Sequence, residues 1–259
     1  MKRVFVIAIL SAVLVTSCDL LNICIRGNGK LVTEYHDVSG YNFIVNSTAI
    51  DVTVVEADTF GLIMMIDENL ADNIVISVTA GTLEIRQNPI KNCISHTISP
   101  SIIVSAPSIA GLRLSGTGNF TVPALSGNDV SVMLSGTGNI AIVSIKSSTL
   151  EITISGTGDL SVTEILCDEA GITLSGTGNL NAAGAVSHGL FSITGSGDSY
   201  TPGLVLQTAA ITVYGSGHVH THITGSLNAI IGGSGNIYLK GNPTVHSNIS
   251  GSGRIIYNK

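Results

Sequence analysis

His218, His220 and His222 stand at alternate positions, which on a β-strand would project three imidazoles from one face. Imidazole ligates zinc, copper and nickel, and alternate Cα atoms about 6.8 Å apart would let a neighbouring pair converge on one ion. An exposed polar strand face accounts for the same pattern, so these histidines imply no resident metal or other cofactor. The densest carboxylates are Glu164, Asp168 and Glu169, with Lys146 at a comparable place about one repeat earlier. Paired carboxylates with a nearby cation are what polysaccharide lyases and hydrolases need for acid–base chemistry. Here they fall in a turn without a surrounding motif, and solvated turn charges explain them. Tryptophan is absent, but Tyr200, Tyr214, Tyr238 and Tyr257 gather towards the C-terminus and form the candidate ligand face, suited to stacking on a glycan.

The elements that must position these residues are set by a repeat. The tetrapeptide Gly-(Thr/Ser)-Gly-(Asn/Asp/His/Arg) returns at Gly116, Gly136, Gly156, Gly176, Gly195, Gly215, Gly233 and Gly251, at intervals of 20, 20, 20, 19, 20, 18 and 18 residues. No helix follows the glycines and no GKS or GKT is present, so the motif lacks what a phosphate loop needs. Calcium solenoids carry an acid in nearly every copy of a shorter repeat, whereas only Asp159 and Asp198 occupy that position here.

A fixed period near 20 with period-two alternation predicts an all-β, parallel β-helix in which one repeat is one coil. Each coil is expected to hold two short strands, such as Ile140–Ile142 and Leu150–Ile154, with Leu150, Ile152 and Ile154 inward and Glu151 and Thr153 outward. The glycines are expected to supply positive φ at sharp corners. The residues after them, from Asn119 to Arg254, should stack as an amide ladder that His218 and Arg254 break.

Upstream of the repeats, Ile50–Val54, Ile74–Val78 and Thr82–Arg86 alternate as half-buried strands, Ala80-Gly81 marks a turn, and Asp67–Ala71 allows one helical turn. Val4 to Val15 form an apolar run behind Lys2 and Arg3, too short to span a bilayer and suited to a secretory leader. The run ends Leu14-Val15-Thr16-Ser17-Cys18, a lipobox-like sequence that makes Cys18 the expected lipidation site. Cys24, Cys93 and Cys167 are then an odd set in which at most one pair can form, and buried or unpaired thiols are the favoured expectation. Charged residues make up 11% of the chain with a net charge of −6 and no basic run, which excludes nucleic-acid binding. The expected organisation is a leader over 1–17, a tether over 18–30, irregular β coils or a cap over 31–110, and repetitive coils over 111–259. Residues 27–259 would form one continuous domain.

The SGTGN and GSGN motifs, with Gly27-Asn28-Gly29, Ala80-Gly81-Thr82-Leu83-Glu84-Ile85 and Ile102-Ile103-Val104-Ser105-Ala106-Pro107 leading to Leu112-Arg113-Leu114-Ser115-Gly116, resemble the bacterial family called putative auto-transporter adhesin, head GIN domain. The resemblance implies a right-handed β-helix on a secreted or lipid-anchored protein, and it supplies no catalytic residues. The expectation is therefore a non-catalytic, cell-envelope protein, anchored at the outer membrane through Cys18 and presenting a rigid surface to a glycan or a surface protein. A polysaccharide-active enzyme and a structural or self-associating envelope protein are the two alternatives.

Overall fold

The computed structural model describes residues 24–89 and 93–258, so Cys18 and the leader lie outside the described residues. The strands are β1 Ile25–Arg26, β2 Leu31–His36, β3 Phe43–Asn46, β4 Asp51–Glu56, β5 Gly61–Asp67, β6 Ile74–Thr79, β7 Thr82–Gln87, β8 Ile94–Ser95, β9 Ser101–Ala106 and β10 Gly111–Leu114. They continue as β11 Phe120–Leu134, β12 Ile140–Ile154, β13 Leu160–Leu174, β14 Leu180–Ile193, β15 Ser199–Val213, β16 Val219–Ile231, β17 Ile237–Lys240, β18 Thr244–Ile249 and β19 Ile255–Asn258. A 3-10 segment, Glu68–Asn73, follows β5 where the sequence allowed one helical turn.

From β10 onward every pairing is parallel, and the strands wind into a β-solenoid of about 7 turns with ~20-residue coils. The two strands expected per coil merge into one long bent strand: β11, β12 and β13 each run 15 residues without a break. Inward positions stack into apolar rows along the axis. Val132, Ile152, Ile172, Phe191, Ile211 and Ala229 make one row, and Leu134, Ile154, Leu174, Ile193, Val213 and Ile231 make the next, all buried. A single coil could not bury its own face, so each row is stable only because neighbouring coils cover it.

The N-terminal part of the same sheet winds differently. β3 and β4 pair in parallel with β10 and β11 on one side and with β7 and β9 on the other. Beyond them the pairing turns antiparallel: β6 joins β7, while β5 joins β9 and β2 joins β5. The coil β3–β4 thus sits inside a later-arriving pair, because the antiparallel strands carry the chain outward and back. The β6–β7 turn is the one marked by Ala80-Gly81, with φ of 48° and 79°, the positive values a two-residue hairpin needs.

The corner glycines work by a different means from the one expected. None from Gly116 to Gly253 in the repeated tetrapeptide has positive φ. A Cβ on Gly138 would instead fall inside the Gly118 carbonyl of the coil below, and the same clash recurs at Gly158 against Gly138. The glycines are there for close backbone approach. The ladder after them also differs. Asn119 Oδ1 accepts from the backbone N–H of Asn139 at 2.9 Å, and the pattern repeats through Asn139, Asp159, Asn179 and Asp198. His218 continues the ladder, since its Nδ1 accepts from Asn236 N–H at 2.9 Å, and only Arg254, which has no acceptor, ends it.

A clasp closes the N-terminal end. Cys24 and Cys93 form a disulfide across 69 residues, so the expectation of unpaired thiols holds only for buried Cys167. Chain connectivity decides such a pairing, and spacing alone could not reveal it. Burial and then the Asp168 carboxylate push the Cys167 thiol up to about 11, which leaves it unreactive. Asp67 is fully buried and accepts from the backbone N–H groups of Gly29 at 2.8 Å, Thr97 at 2.9 Å and Ile98 at 3.1 Å. Burial alone would raise its pKa, but these donors, with the His96 ring beside it, outweigh that and hold it below 3.8. His96 is held below 6.5 by burial, against the pull of Asp67.

Two outcomes follow from this architecture. Gly138→Ala should destabilise by about 3 kcal/mol or more, while Gly127→Ala, whose nearest new contact is the Ala110 Cβ at 3.4 Å, should cost under about 1 kcal/mol. Equilibrium urea unfolding compares them, and equal costs would contradict the close-approach role. Acid should loosen the clasp. A depressed His96 binds its proton more readily when unfolded, so stability falls as pH drops below 6.5, and the Asp67 contribution is lost only below 3.8. Amide protection factors at Gly29 and Thr97 should fall between about pH 7 and about pH 5 while those of the central coils hold; unchanged protection would contradict the clasp.

Candidate functional site

The register of the C-terminal coils places Asn181, Tyr200, His220, Tyr238 and Ile256 in one outward row along the axis. Their strands are fixed by the inward rows, so the rings have little freedom but to stack. His220 lies on Tyr238 with centroids 4.3 Å apart and planes 9° from parallel, and Tyr200 tilts onto the other side of His220 at 4.9 Å. His218 meets the edge of Tyr238 at 5.8 Å. Burial lowers the His220 pKa, with Asp198 opposing and His218 adding to the shift, so the ring in the stack is neutral at pH 7.

Tyr200 is half exposed, and the side turned away from His220 borders an open shelf of about 400 Å³. Ser161, Thr163, Asn181, Ala183 and Pro202 line that shelf. The arrangement offers one aromatic wall, an amide that donates and accepts, two hydroxyls and a floor of small side chains. Such a mix suits a ligand with apolar C–H faces and many hydroxyls.

The structure brings only two of the four expected tyrosines together. Tyr214 stands at the corner before Gly215, over Gly232, and is exposed. Tyr257 pairs with inward-facing Leu239 in the last coil and is exposed at that end. The three histidines are divided as well: His218 serves the corner ladder, His220 joins the stack, and His222 pairs between Val205 and Lys240. No group of three or more His, Cys, Asp or Glu among the described residues is placed to hold a metal ion. His220 as a partner of the tyrosines was missed at the level of sequence. Its 20-residue offset from Tyr200 and 18-residue offset to Tyr238, equal to the local repeat, carried that signal.

The expected acidic group is split by the coil corner. Glu164 pairs with Ser144 on one outer face, and Asp168 lines a cleft of about 500 Å³ with Lys146, Leu166 and Val205. Glu169 lines a separate trough of about 660 Å³ with Asp129, Glu151 and His188.

This is a β-solenoid, parallel from β10 onward, whose ring stack and clefts lie on its outward faces. The chain belongs to the family described as "Putative auto-transporter adhesin, head GIN domain", whose model matches residues 40–243. A solved putative adhesin from Parabacteroides distasonis is 25% identical, with a TM-score of 0.84 over 90% of this chain and 99% of its own. A putative lipid binding protein from the same species is 28% identical, with a TM-score of 0.82 over 91% and 99%. A putative adhesin from Parabacteroides merdae, 24% identical with a TM-score of 0.85 over 91% and 99%, shares the fold. No curated protein matches the sequence. Among the described residues no helix is long and apolar enough to cross a membrane.

The stack makes its own prediction. Removing the ring that covers His220, by Tyr238→Ala, should raise the His220 pKa towards 6.5, because less of the imidazole is desolvated. A histidine NMR titration reads this directly, and an unchanged midpoint would mean the ring contact does not bury it.

Proposed function

We propose that this protein is a non-catalytic adhesion module of the cell envelope, held by lipid on Cys18, that takes a glycan on the Tyr200 shelf. The observation carrying the reading is the exposed Tyr200 face, braced from behind by His220 and Tyr238 and opening over hydroxyl and amide groups. A sugar stacked there would find its binding partners already rigid, so little conformational entropy opposes the contact. The family's description as an adhesin supports the same reading, as does a lipobox-like leader that would deliver the chain to the outer membrane.

The test uses the lipid-free protein on a glycan array, with purified surface proteins alongside. Tyr200→Ala should weaken the best glycan signal roughly tenfold, Tyr238→Ala less, and Tyr257→Ala should leave it unchanged. Retention on proteins alone, or loss through Tyr257 with Tyr200 dispensable, would contradict the assignment. In cells, Cys18→Ala should move the protein from the membrane pellet to the soluble fraction; continued pelleting would refute the anchor.

A further inference from the structure

The trough of about 660 Å³ lies away from the tyrosine stack, on the other side of the coil corner. Its length is set by one outward row: Phe43, Gly111, Ser131, Glu151, Gly171 and Leu190, paired coil to coil. Phe43 leans over Gly111 and the Glu151 carboxylate lies over Gly171, places where a Cβ would strike them. Phe43 and Leu190 therefore stand at the two ends, and between them the small Gly111, Ser131 and Gly171 leave Glu151 as the one large side chain. Five coil steps of about 4.8 Å give a trough roughly 24 Å long, the span of about seven residues of extended chain.

The chemistry of the trough is one-sided. Beside the row run Asp129, Thr149, Glu169 and His188, also paired coil to coil, above a floor that includes Val130 and Leu150. Asp129, Glu151 and Glu169 are exposed, and among the described residues none of them forms an ion pair. Asp129 is instead held ionised by the Thr149 hydroxyl and the Asn128 amide. Arg113, two residues along β10 from Gly111, is turned onto the Met133 sulfur at 3.2 Å. Leu190 is 59% exposed at the far end, an apolar surface without a cover.

We propose that this trough binds an extended basic polypeptide segment, with lysine or arginine side chains on Asp129, Glu151 and Glu169 and an apolar side chain against Leu190. Nucleic acid and acidic glycans are repelled by three unpaired carboxylates, and a bare polyamine has no side chain to cover Leu190. Alternate side chains of an extended chain lie about 6.8 Å apart, between one coil step and two, within reach of flexible lysines. This site is independent of the glycan shelf, and either can fail without the other.

Fluorescence anisotropy of a labelled Lys-Leu-Lys-Leu-Lys-Leu-Lys peptide with the intact protein tests it. Binding should weaken with added salt, fall at least about tenfold in the Glu151→Gln/Glu169→Gln variant, and fall about threefold in Leu190→Ser. Glu164→Gln, on another face, should change nothing, and matched thermal midpoints would show that the variants fold. No binding up to about 1 mM, equal binding of the glutamate-for-lysine peptide, spermine matching the peptide's affinity, or loss of affinity at Glu164 would each overturn the proposal.

Discussion

Backbone must touch backbone at one corner of every coil, and the rest of the molecule follows from that contact. Where the Gly138 Cα meets the Gly118 carbonyl, no side chain fits, so the stack closes to the spacing at which strands pair. Once coils stack at that distance, Asn139 can offer its amide N–H to Asn119 Oδ1 and the chain is held in register. Register then decides which side chains share an outward row. Tyr200, His220 and Tyr238 stack, and Asp129, Thr149 and Glu169 align, because the corner glycines a few residues along the chain hold neighbouring coils in register there.

The ladder also explains the variation at its own position. What each coil requires there is one acceptor at the right reach, and Asn, Asp and neutral His all supply it. The exchange of Asn for Asp or His is therefore neutral to the architecture while it alters charge along the corner. Arg254 supplies no acceptor and no further coil follows it in the described structure.

Much of this was legible in the sequence, and the boundary of what was legible is physical. The 20-residue period and the inward rows of Ile152 and Leu150 could be read directly, because periodicity and alternation are local properties. The family likeness was carried by the same repeats. The reason for the glycines was not readable, since close approach and positive φ both select Gly and only the backbone distinguishes them. The Cys24–Cys93 bond and the out-of-order coil β3–β4 depend on where a long antiparallel excursion returns. At the candidate site, four tyrosines in the last coils suggested one face, but only positions a whole repeat apart share a row. Tyr200 and Tyr238 meet that condition through His220; Tyr214 and Tyr257 do not. The same rule, applied to charges, would have gathered Asp129 with Glu169, two repeats apart, and separated Glu169 from its neighbour Asp168.

A rigid scaffold of this kind presents preformed surfaces, with different chemistry on either side of the coil corner. The central claim is that a glycan sits on the Tyr200 shelf, and amide NMR shifts during a titration with a glycan that retains the protein test it most directly. The account predicts changes confined to Ser161, Thr163, Asn181 and Tyr200 and their immediate neighbours. Changes centred on Tyr214, on Tyr257 or on the trough, with the shelf silent, would contradict it.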